Sequence, residues 1–120
     1  MYISELMTGL PWLLQCLIRL AGAAILGGAI GLEREHRGRS AGFRTQMLVG
    51  IGAALATLVG LNFLRGYGVD TDVAVRVDPT RVAYGIMTGI GFLGAGTIIS
   101  HGAGVRGLTT AASLWCTAAV

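Results

Sequence analysis

A dense block of charge lies between two apolar segments in the first half of the chain. Its members are Glu33, Arg34, Glu35, His36, Arg37, Arg39 and Arg44. Carboxylates so close together could bind a hard cation such as Mg²⁺ through their oxygen atoms, or form ion pairs with the neighbouring arginines. Because Glu33 and Glu35 are two residues apart, they point to different faces of a helix. The spacing therefore favours a ring of ion pairs and leaves weak magnesium binding as the alternative.

The positions of two further arginines predict a specific pairing. Arg44 and Arg106 lie near the starts of two apolar segments, where a carboxylate is the side chain that neutralises an arginine best. We therefore expect Glu33 or Glu35 to lie within ion-pair distance of Arg44 or Arg106.

Asp78 opens the segment DPTR at the start of another apolar stretch, and Arg81 follows one turn later. An aspartate at this place can cap the free N–H groups of a helix and is favoured by the helix dipole. The alternative is a carboxylate that attracts a cation, together with Asp70 and Asp72. The sequence favours the cap.

Three other patterns indicate little chemistry. Gly89, Gly91 and Gly94 match G-x-G-x-x-G, but they lie in an apolar stretch without a βαβ unit, so close helix packing is favoured over nucleotide binding. His36 and His101 could form a pH-sensitive pair, although single histidines at such edges are usually only solvated. The serines that lack an evident base are Ser40, Ser100 and Ser113. No catalytic residue, metal centre or cofactor is predicted, and the chain is not expected to be an enzyme.

The composition indicates that lipid is the natural solvent. Hydrophobic residues make up 53% of the 120 residues, charged residues only 12%, and the mean hydropathy is +0.69, whereas soluble domains carry about 25% charged residues. The net charge of +3 is modest, and the arginines cluster at the ends of apolar runs. This distribution is typical of membrane topology and excludes a nucleic-acid-binding stripe.

Apolar segments divide the chain into four passages, residues 11–32, 43–64, 82–100 and 107–120. A membrane-spanning helix needs about 20 residues, and the last passage has 14. We interpret residues 1–120 as one transmembrane domain cut inside its fourth helix, with a short or re-entrant helix as the alternative. The predicted fold is an all-α, polytopic transmembrane bundle of about four helices.

The arginines also predict an orientation. The first and third links carry Arg34, Arg37, Arg39, Arg44 and Arg106, and the opposite side carries Arg65, Arg76 and Arg81. Because basic residues are retained on the cytoplasmic side, we place the first link in the cytoplasm and the N-terminus outside. The expected location is the bacterial inner membrane.

Small residues recur four apart along the predicted helices. The faces are Ala23, Gly27 and Gly31; Gly52, Ala56 and Gly60; Gly85 and Gly89; Gly91 and Ala95; with Gly94 and Gly96 nearby. In lipid, close backbone approach between small residues is what packs helices together. There are more faces of small residues than the packing of one bundle requires, so we expect a homo-oligomer. The expected form is a two-fold dimer.

A weak internal repeat relates the two halves of the chain. An offset of 65 residues aligns His36 with His101, Gly42 with Gly107, and Thr45 with Thr110. Parallel repeats of helical hairpins occur in many transporters. Chance similarity between two glycine-rich helical hairpins explains the matches equally well.

Arg19 lies about 12 Å along the first helix, eight residues past Pro11. A charge at this depth is unfavourable unless it reaches the headgroups or finds a carboxylate. The two alternatives are snorkelling, assisted by Gln15, and an ion pair with Asp78 or Glu5.

Three ordered stretches of the chain, taken together, resemble the MgtC/SapB family of bacterial inner-membrane proteins. They read GLEREHRGRSAGFRTQMLVGIGAAL, DPTRVAYGIMTGIGFLGAGTI and VRGLTTAASLWCTAAV. The matching motif residues are Glu33, Arg34, Glu35, Arg37, Gly38, Gly42, Arg44, Thr45, Asp78, Arg81, Gly89, Gly91, Phe92, Gly94, Gly96, Arg106, Gly107, Thr109, Thr110 and Trp115. Gln46 departs from the pattern, because a histidine is common after Arg-Thr.

The resemblance implies a hydrophobic domain of about five helices, often followed by a soluble cytoplasmic domain. It also implies a role in growth at low magnesium and in survival inside host cells. Some members of the family are linked to modulation of the ATP synthase. Two hypotheses follow, a regulator that acts on a membrane partner such as the ATP synthase, and a transporter of magnesium or another solute. The sequence favours the regulator, because its carboxylates lie at the edges of the apolar segments.

Overall fold

The computed structural model describes residues 11–66, 78, 80–101 and 104–120. Helix α1 spans Trp12–His36, α2 spans Phe43–Gly66, α3 spans Thr80–Thr97 and α4 spans Leu108–Ala119. A short antiparallel hairpin precedes α4, with β1 at Ile99–His101 paired to β2 at Gly104–Arg106. The expected helical fold is confirmed, and the two three-residue strands between α3 and α4 are an addition that the sequence did not predict.

Two of the four described helices are long and apolar enough to cross a membrane, α1 and residues 43–63 of α2. Helix α1 has 25 residues and is about 37 Å long, which exceeds the roughly 30 Å hydrocarbon core. Helix α3 has 18 residues and α4 has 12. The prediction of four passages is therefore supported by length and composition for the first two.

Helix α1 continues through the charged block instead of ending near Leu32. Glutamate and arginine are good helix formers, and Glu33 pairs with Arg37 one turn later, at 2.6 Å. The helix ends at His36, so four of the seven residues of the charged block lie in α1, and Arg44 lies in α2. The boundary predicted at Leu32 was wrong because the end of the apolar run was taken as the end of the helix.

Large apolar side chains lie on the outside of the helices, and several of the buried side chains are polar. Phe92 is 82% exposed and Leu13 is 70% exposed, whereas Gln46 and Thr117 are completely buried. Soluble proteins place large apolar side chains inside and amides outside. An apolar exterior around polar buried side chains suits a lipid surrounding.

The predicted small-residue face of α1 forms the closest helix crossing. A Cβ atom added to Gly27 would lie 2.8 Å from the Gln46 carbonyl oxygen, and one added to Gly31 would lie 2.6 Å from the Cα atom of Phe43. Farther along the same crossing, a Cβ at Gly50 would lie 2.9 Å from the carbonyl oxygen of Ala23. The backbones of α1 and α2 therefore touch, which only glycine at these positions allows.

Five of the other predicted packing glycines have open space where a side chain would lie. They are Gly52, Gly85, Gly89, Gly91 and Gly96. Helix α3 meets α2 near Gly60 and Val82, and it meets α4 where Gly94 faces Ala111. Helix α3 thus packs against α4 along part of its length and leaves a groove beside α2. A Cβ at these five positions would meet nothing within 4 Å, so the expectation that they pack helices in a bundle or in a dimer stays a prediction.

The helix starts agree with the predicted repeat, while the links do not. Helix α2 begins at Phe43 and α4 at Leu108, which are 65 residues apart. Before α4, Gly107 has φ of 93°, and a Cβ atom there would collide with the carbonyl oxygen of Thr97. Gly107 is therefore required by both conformation and space. The first link has no strand in the described structure, so the two hairpins share a register but differ in their connections.

We predict that Gly31→Ala destabilises the protein by about 1–3 kcal/mol, because the added methyl group forces α1 away from α2. Gly52→Ala is the matched control, since a Cβ there meets nothing within 4 Å. Chemical unfolding in detergent micelles measures both free energies. Equal losses for the two variants would contradict the crossing.

Candidate functional site

A buried arginine joins the charged end of α1 to the start of α4. Arg34 is only 5% exposed. Its Nη2 atom donates to Thr110 Oγ1 at 2.7 Å and to the Ser40 carbonyl at 2.8 Å, and its Nε atom lies 3.2 Å from the Ser40 carbonyl and 3.3 Å from that of Ala41. One guanidinium therefore connects α1, the first link and α4, and it places the first and third links at the same end of the bundle.

The backbone of the first link explains how its carbonyl groups reach Arg34. Gly38 has φ of 63° and Ala41 has φ of 57°. These left-handed residues turn the chain back over the end of α1. For Ala41 this conformation is unfavourable by about 1–2 kcal/mol, and the hydrogen bond from Arg34 to its carbonyl helps to hold it. The Ser40 and Thr110 hydroxyl oxygens lie 3.0 Å apart and complete the cluster.

Arg34 is held by neutral oxygen atoms and not by a carboxylate. Within residues 11–66, 78, 80–101 and 104–120, the one ion pair is Glu33–Arg37, in which both side chains are more than half exposed. A buried charge is unfavourable unless hydrogen bonds replace its lost water. The Arg34 cluster meets this need with acceptors that carry no net charge, so this end of the interior is electropositive.

A second polar layer lies deeper, between α2 and α4. Gln46 Nε2 donates to Ser113 Oγ at 2.9 Å, and Thr117 Oγ1 donates to Gln46 Oε1 at 2.7 Å. Ser113 in turn donates to the Thr110 carbonyl at 2.8 Å. Among the described residues no buried side-chain nitrogen or oxygen lacks a partner. The two layers form a continuous polar seam along α4, which we call the α4 seam: Arg34, Ser40, Gln46, Thr110, Ser113 and Thr117.

The predicted pairing of the two glutamates with Arg44 or Arg106 was wrong. Glu33 pairs with Arg37, the residue that follows the end of α1. Glu35 Oε2 instead accepts the Phe43 backbone N–H at 2.9 Å and so caps the start of α2. The left-handed turn at Gly38 and Ala41 brings the start of α2 to Glu35, and a backbone donor takes the place of an arginine. Arg44 and Arg106 are exposed.

Asp78 forms the predicted cap. Its Oδ1 atom accepts the Thr80 hydroxyl at 2.7 Å and the Thr80 backbone N–H at 2.9 Å. These two hydrogen bonds, with the nearby charge of Arg81, lower the pKa of the Asp78 carboxyl from its ordinary value. Asp70 and Asp72, which were weighed as partners in cation binding, lie outside the described residues.

Arg19 is exposed on α1 and forms no pair with Asp78. It lines a cavity of about 450 Å³ bounded by α1, α2 and the end of α4. Glu5, the other predicted ion-pair partner of Arg19, lies outside the described residues. The side chain of His101 is not described either, so the predicted pair of His36 and His101 lies outside the described part of the chain.

Four members of the α4 seam were not predicted as site residues: Ser40, Gln46, Ser113 and Thr117. Their signal is nevertheless present, because Thr110, Ser113 and Thr117 are spaced three and four apart in a mostly apolar helix. That spacing places three hydroxyl groups on one face. Gln46, noted only as a departure from a family pattern, proves to be completely buried.

The fold and the site define a class, a small helical protein with two candidate membrane spans, an apolar exterior and a polar interior seam. Comparison with known proteins makes this more specific. The chain belongs to the MgtC family, which it matches over residues 20–120. The resemblance inferred from the motifs is therefore confirmed.

Curated relatives match nearly the whole chain. Protein MgtC of Brucella abortus (strain 2308) is 54% identical over 101 residues, 84% of this chain and 38% of that protein. The putative magnesium transporter YhiD of Escherichia coli (strain K12) is 47% identical over 105 residues, 87% of this chain and 47% of that protein. Protein MgtC of Salmonella typhimurium (strain 14028s / SGSC 2262) is 42% identical over 118 residues, 98% of this chain and 45% of that protein.

The chain spans less than half the length of these relatives. No solved structure matches it.

We predict that Thr110→Val destabilises the protein by about 2 kcal/mol, because Arg34 loses an acceptor and a buried charge is left with fewer hydrogen bonds. The substitution keeps the shape of the side chain. Thr109→Val is the matched control, since Thr109 is the exposed neighbour on the same helix. Unfolding in micelles should separate the two variants, and a loss of the same size for both would show that Thr110 does not support Arg34.

We predict that Asp78→Ala lowers the melting temperature more than Asp78→Asn, which keeps an oxygen acceptor for the cap but loses the charge. Because the pKa of Asp78 is lowered in the folded state, its contribution to stability is present above the unfolded-state pKa and is lost as the pH falls through the folded-state pKa. The difference between parent and Asp78→Ala should therefore shrink on acidification. A loss in Asp78→Asn as large as that in Asp78→Ala would contradict the cap, because it would assign the whole effect to the charge.

Proposed function

We propose that this chain is the membrane-embedded part of a bacterial inner-membrane protein that supports growth at low magnesium by acting on a membrane partner. By resemblance to its family, that partner is a complex such as the ATP synthase, and the setting includes survival inside host cells. Direct conduction of magnesium is not the proposed activity.

The main support for this proposal is that the buried charge is positive. The buried charged side chain among the described residues is Arg34, a cation whose guanidinium lies between α1, the first link and α4. A divalent cation that enters the same interior would meet this positive charge in a medium of low dielectric constant, where like charges repel strongly. An interior that holds a fixed cation is better suited to stabilising a structure than to passing Mg²⁺.

The described carboxylates support the same conclusion. Glu33, Glu35 and Asp78 lie at helix ends, where the first is paired with Arg37 and the other two cap helices. Magnesium sites use one or two carboxylates together with ordered water. Each of these three carboxylates is occupied by a structural role at the edge of the bundle.

The second candidate function is transport of magnesium or another solute. It is supported by the name of the Escherichia coli relative, a putative magnesium transporter, and by the oxygen atoms of Gln46, Thr110 and Thr117 in the interior. Neutral oxygens can coordinate a hard cation, though more weakly than carboxylates do.

The proposal includes an orientation and an assembly. The first link and the β1–β2 hairpin face the cytoplasm, because both carry arginines. The N-terminus is outside. The protein forms a two-fold dimer in which Gly91 and Ala95 of α3 approach the second copy, since both are exposed in the single chain. Cross-linking through cysteines placed at these two positions in native membranes tests the dimer, and an exclusively monomeric product would exclude it.

Flux through the intact protein in liposomes tests the function. The liposomes contain a magnesium-sensitive dye, and a magnesium gradient is applied across the membrane. We expect magnesium to enter liposomes that contain the protein no faster than it enters empty liposomes, because the buried cation opposes entry. ATP synthase subunits should co-purify with the intact protein from membranes of cells grown at low magnesium.

A control variant makes the flux experiment decisive. Gln46→Leu removes a buried oxygen atom that could coordinate a transported cation. Magnesium flux that requires the protein and falls in Gln46→Leu would establish the transporter and contradict the regulatory proposal.

A further inference from the structure

An apolar groove runs between α2 and α3, with an arginine at one end. The groove has a volume of about 540 Å³, within the range of sites for small molecules. Leu48 and Gly52 form its α2 wall, Gly85 and Gly89 its α3 wall, and Arg44 lies at its end beside the charged links. Helix α3 approaches α2 closely near Gly60 and Val82, and the groove lies beyond this contact, toward the start of α2.

We propose that this groove binds the acyl chain of an anionic phospholipid, with the phosphate of the headgroup on Arg44. The proposal rests on the membrane location of the chain and is independent of its regulatory role.

The length of the groove fits one lipid leaflet. Its α2 wall extends over residues 44–53 and its α3 wall over residues 85–93, which is about 12–14 Å at the helical rise. One leaflet of a bilayer core is about 15 Å thick. A groove of this length, closed at the charged end by an arginine, matches one acyl chain below one headgroup. The groove is too short to hold a membrane-spanning helix along its whole length, because such a helix is about twice as long.

Arg44 supplies the charge complementarity. It is exposed, it lies in the first turn of α2, and it takes no part in the ion pair that the described structure contains. The start of a helix favours a negative charge, and the guanidinium group binds phosphate oxygens in a bidentate manner. The carboxylate nearest in sequence, Glu35, is engaged with the Phe43 backbone. A phosphate at this place would neutralise a charge that has no ion-pair partner among the described residues.

The same arginine argues against a second copy of the chain as the occupant. In a two-fold dimer with its axis along the membrane normal, equal residues lie at equal depth. Two copies joined through this groove would bring Arg44 close to its own symmetry mate, and like charges repel. An anionic lipid removes that repulsion.

Native mass spectrometry of the intact protein, titrated with phosphatidylglycerol or with phosphatidylethanolamine, tests the site. We expect phosphatidylglycerol to bind about five-fold more tightly, in line with the attraction of one arginine for an anionic surface. Arg44→Gln should remove this preference. Arg39→Gln is the matched control, because Arg39 is an exposed arginine of the same link that does not line the groove.

The apolar part of the site is tested by filling it. Gly89→Leu should reduce binding of both lipids, and the structure tolerates it because a Cβ there meets nothing within 4 Å. Gly96→Leu is the control, since Gly96 is an equally open glycine of α3 away from the groove. Gly52→Leu fills the groove from the α2 side and replaces Gly89→Leu if that variant is not helical by circular dichroism.

Three results would overturn the proposal. They are equal binding of the two lipids by the parent, unchanged binding in the groove-filling variants, and conversion of a dimer to a monomer by Gly89→Leu, which would assign the groove to a second copy. None of these readouts depends on magnesium flux or on the ATP synthase.

Discussion

The hydrogen bonds of the buried Arg34 guanidinium connect parts of the chain that are distant in sequence. Arg34 and Thr110 are 76 residues apart, and the link that supplies the Ser40 carbonyl lies between them in space. Because a buried charge must be surrounded by acceptors, the end of α1, the fold of the link and the start of α4 are fixed together. The left-handed backbone of Ala41 persists because this arrangement holds it.

The α4 seam and the glycine crossing hold different pairs of helices together. Gly27 and Gly31 let the backbones of α1 and α2 touch, which provides dense packing but little orientation for α4. Gln46 then directs α4, since both ends of its amide are bound by residues of that helix. Hydrogen bonds between small polar side chains are a common means of joining helices in an apolar surrounding. An interior built in this way presents a cation and neutral dipoles, and the outer surface is apolar.

The sequence predicted the elements well because they depend on local patterns. Apolar runs gave the starts of α2 and α4, and the recurrence of Ala23, Gly27 and Gly31 gave the crossing face of α1. The local signal for a cap likewise identified Asp78. Each of these depends on residues within a few turns of one another.

The contacts between elements were predicted less well because they depend on how the links turn. The φ angles of Gly38 and Ala41 decide that Glu35 meets a backbone N–H and not an arginine. The relative shift of α2 and α4 decides that Gln46 meets two hydroxyl-bearing residues. Neither quantity is encoded in a pattern of nearby residues.

The central claim is that Arg34 and Thr110 form one structural unit across the bundle. A double-mutant cycle with Arg34→Met and Thr110→Val, followed by chemical unfolding of all four proteins in micelles, measures their coupling directly. The structure predicts a coupling free energy of about 1–3 kcal/mol, because each single variant removes the same buried hydrogen bond and leaves its partner with one fewer. Additive effects, with a coupling near zero, would contradict the claim.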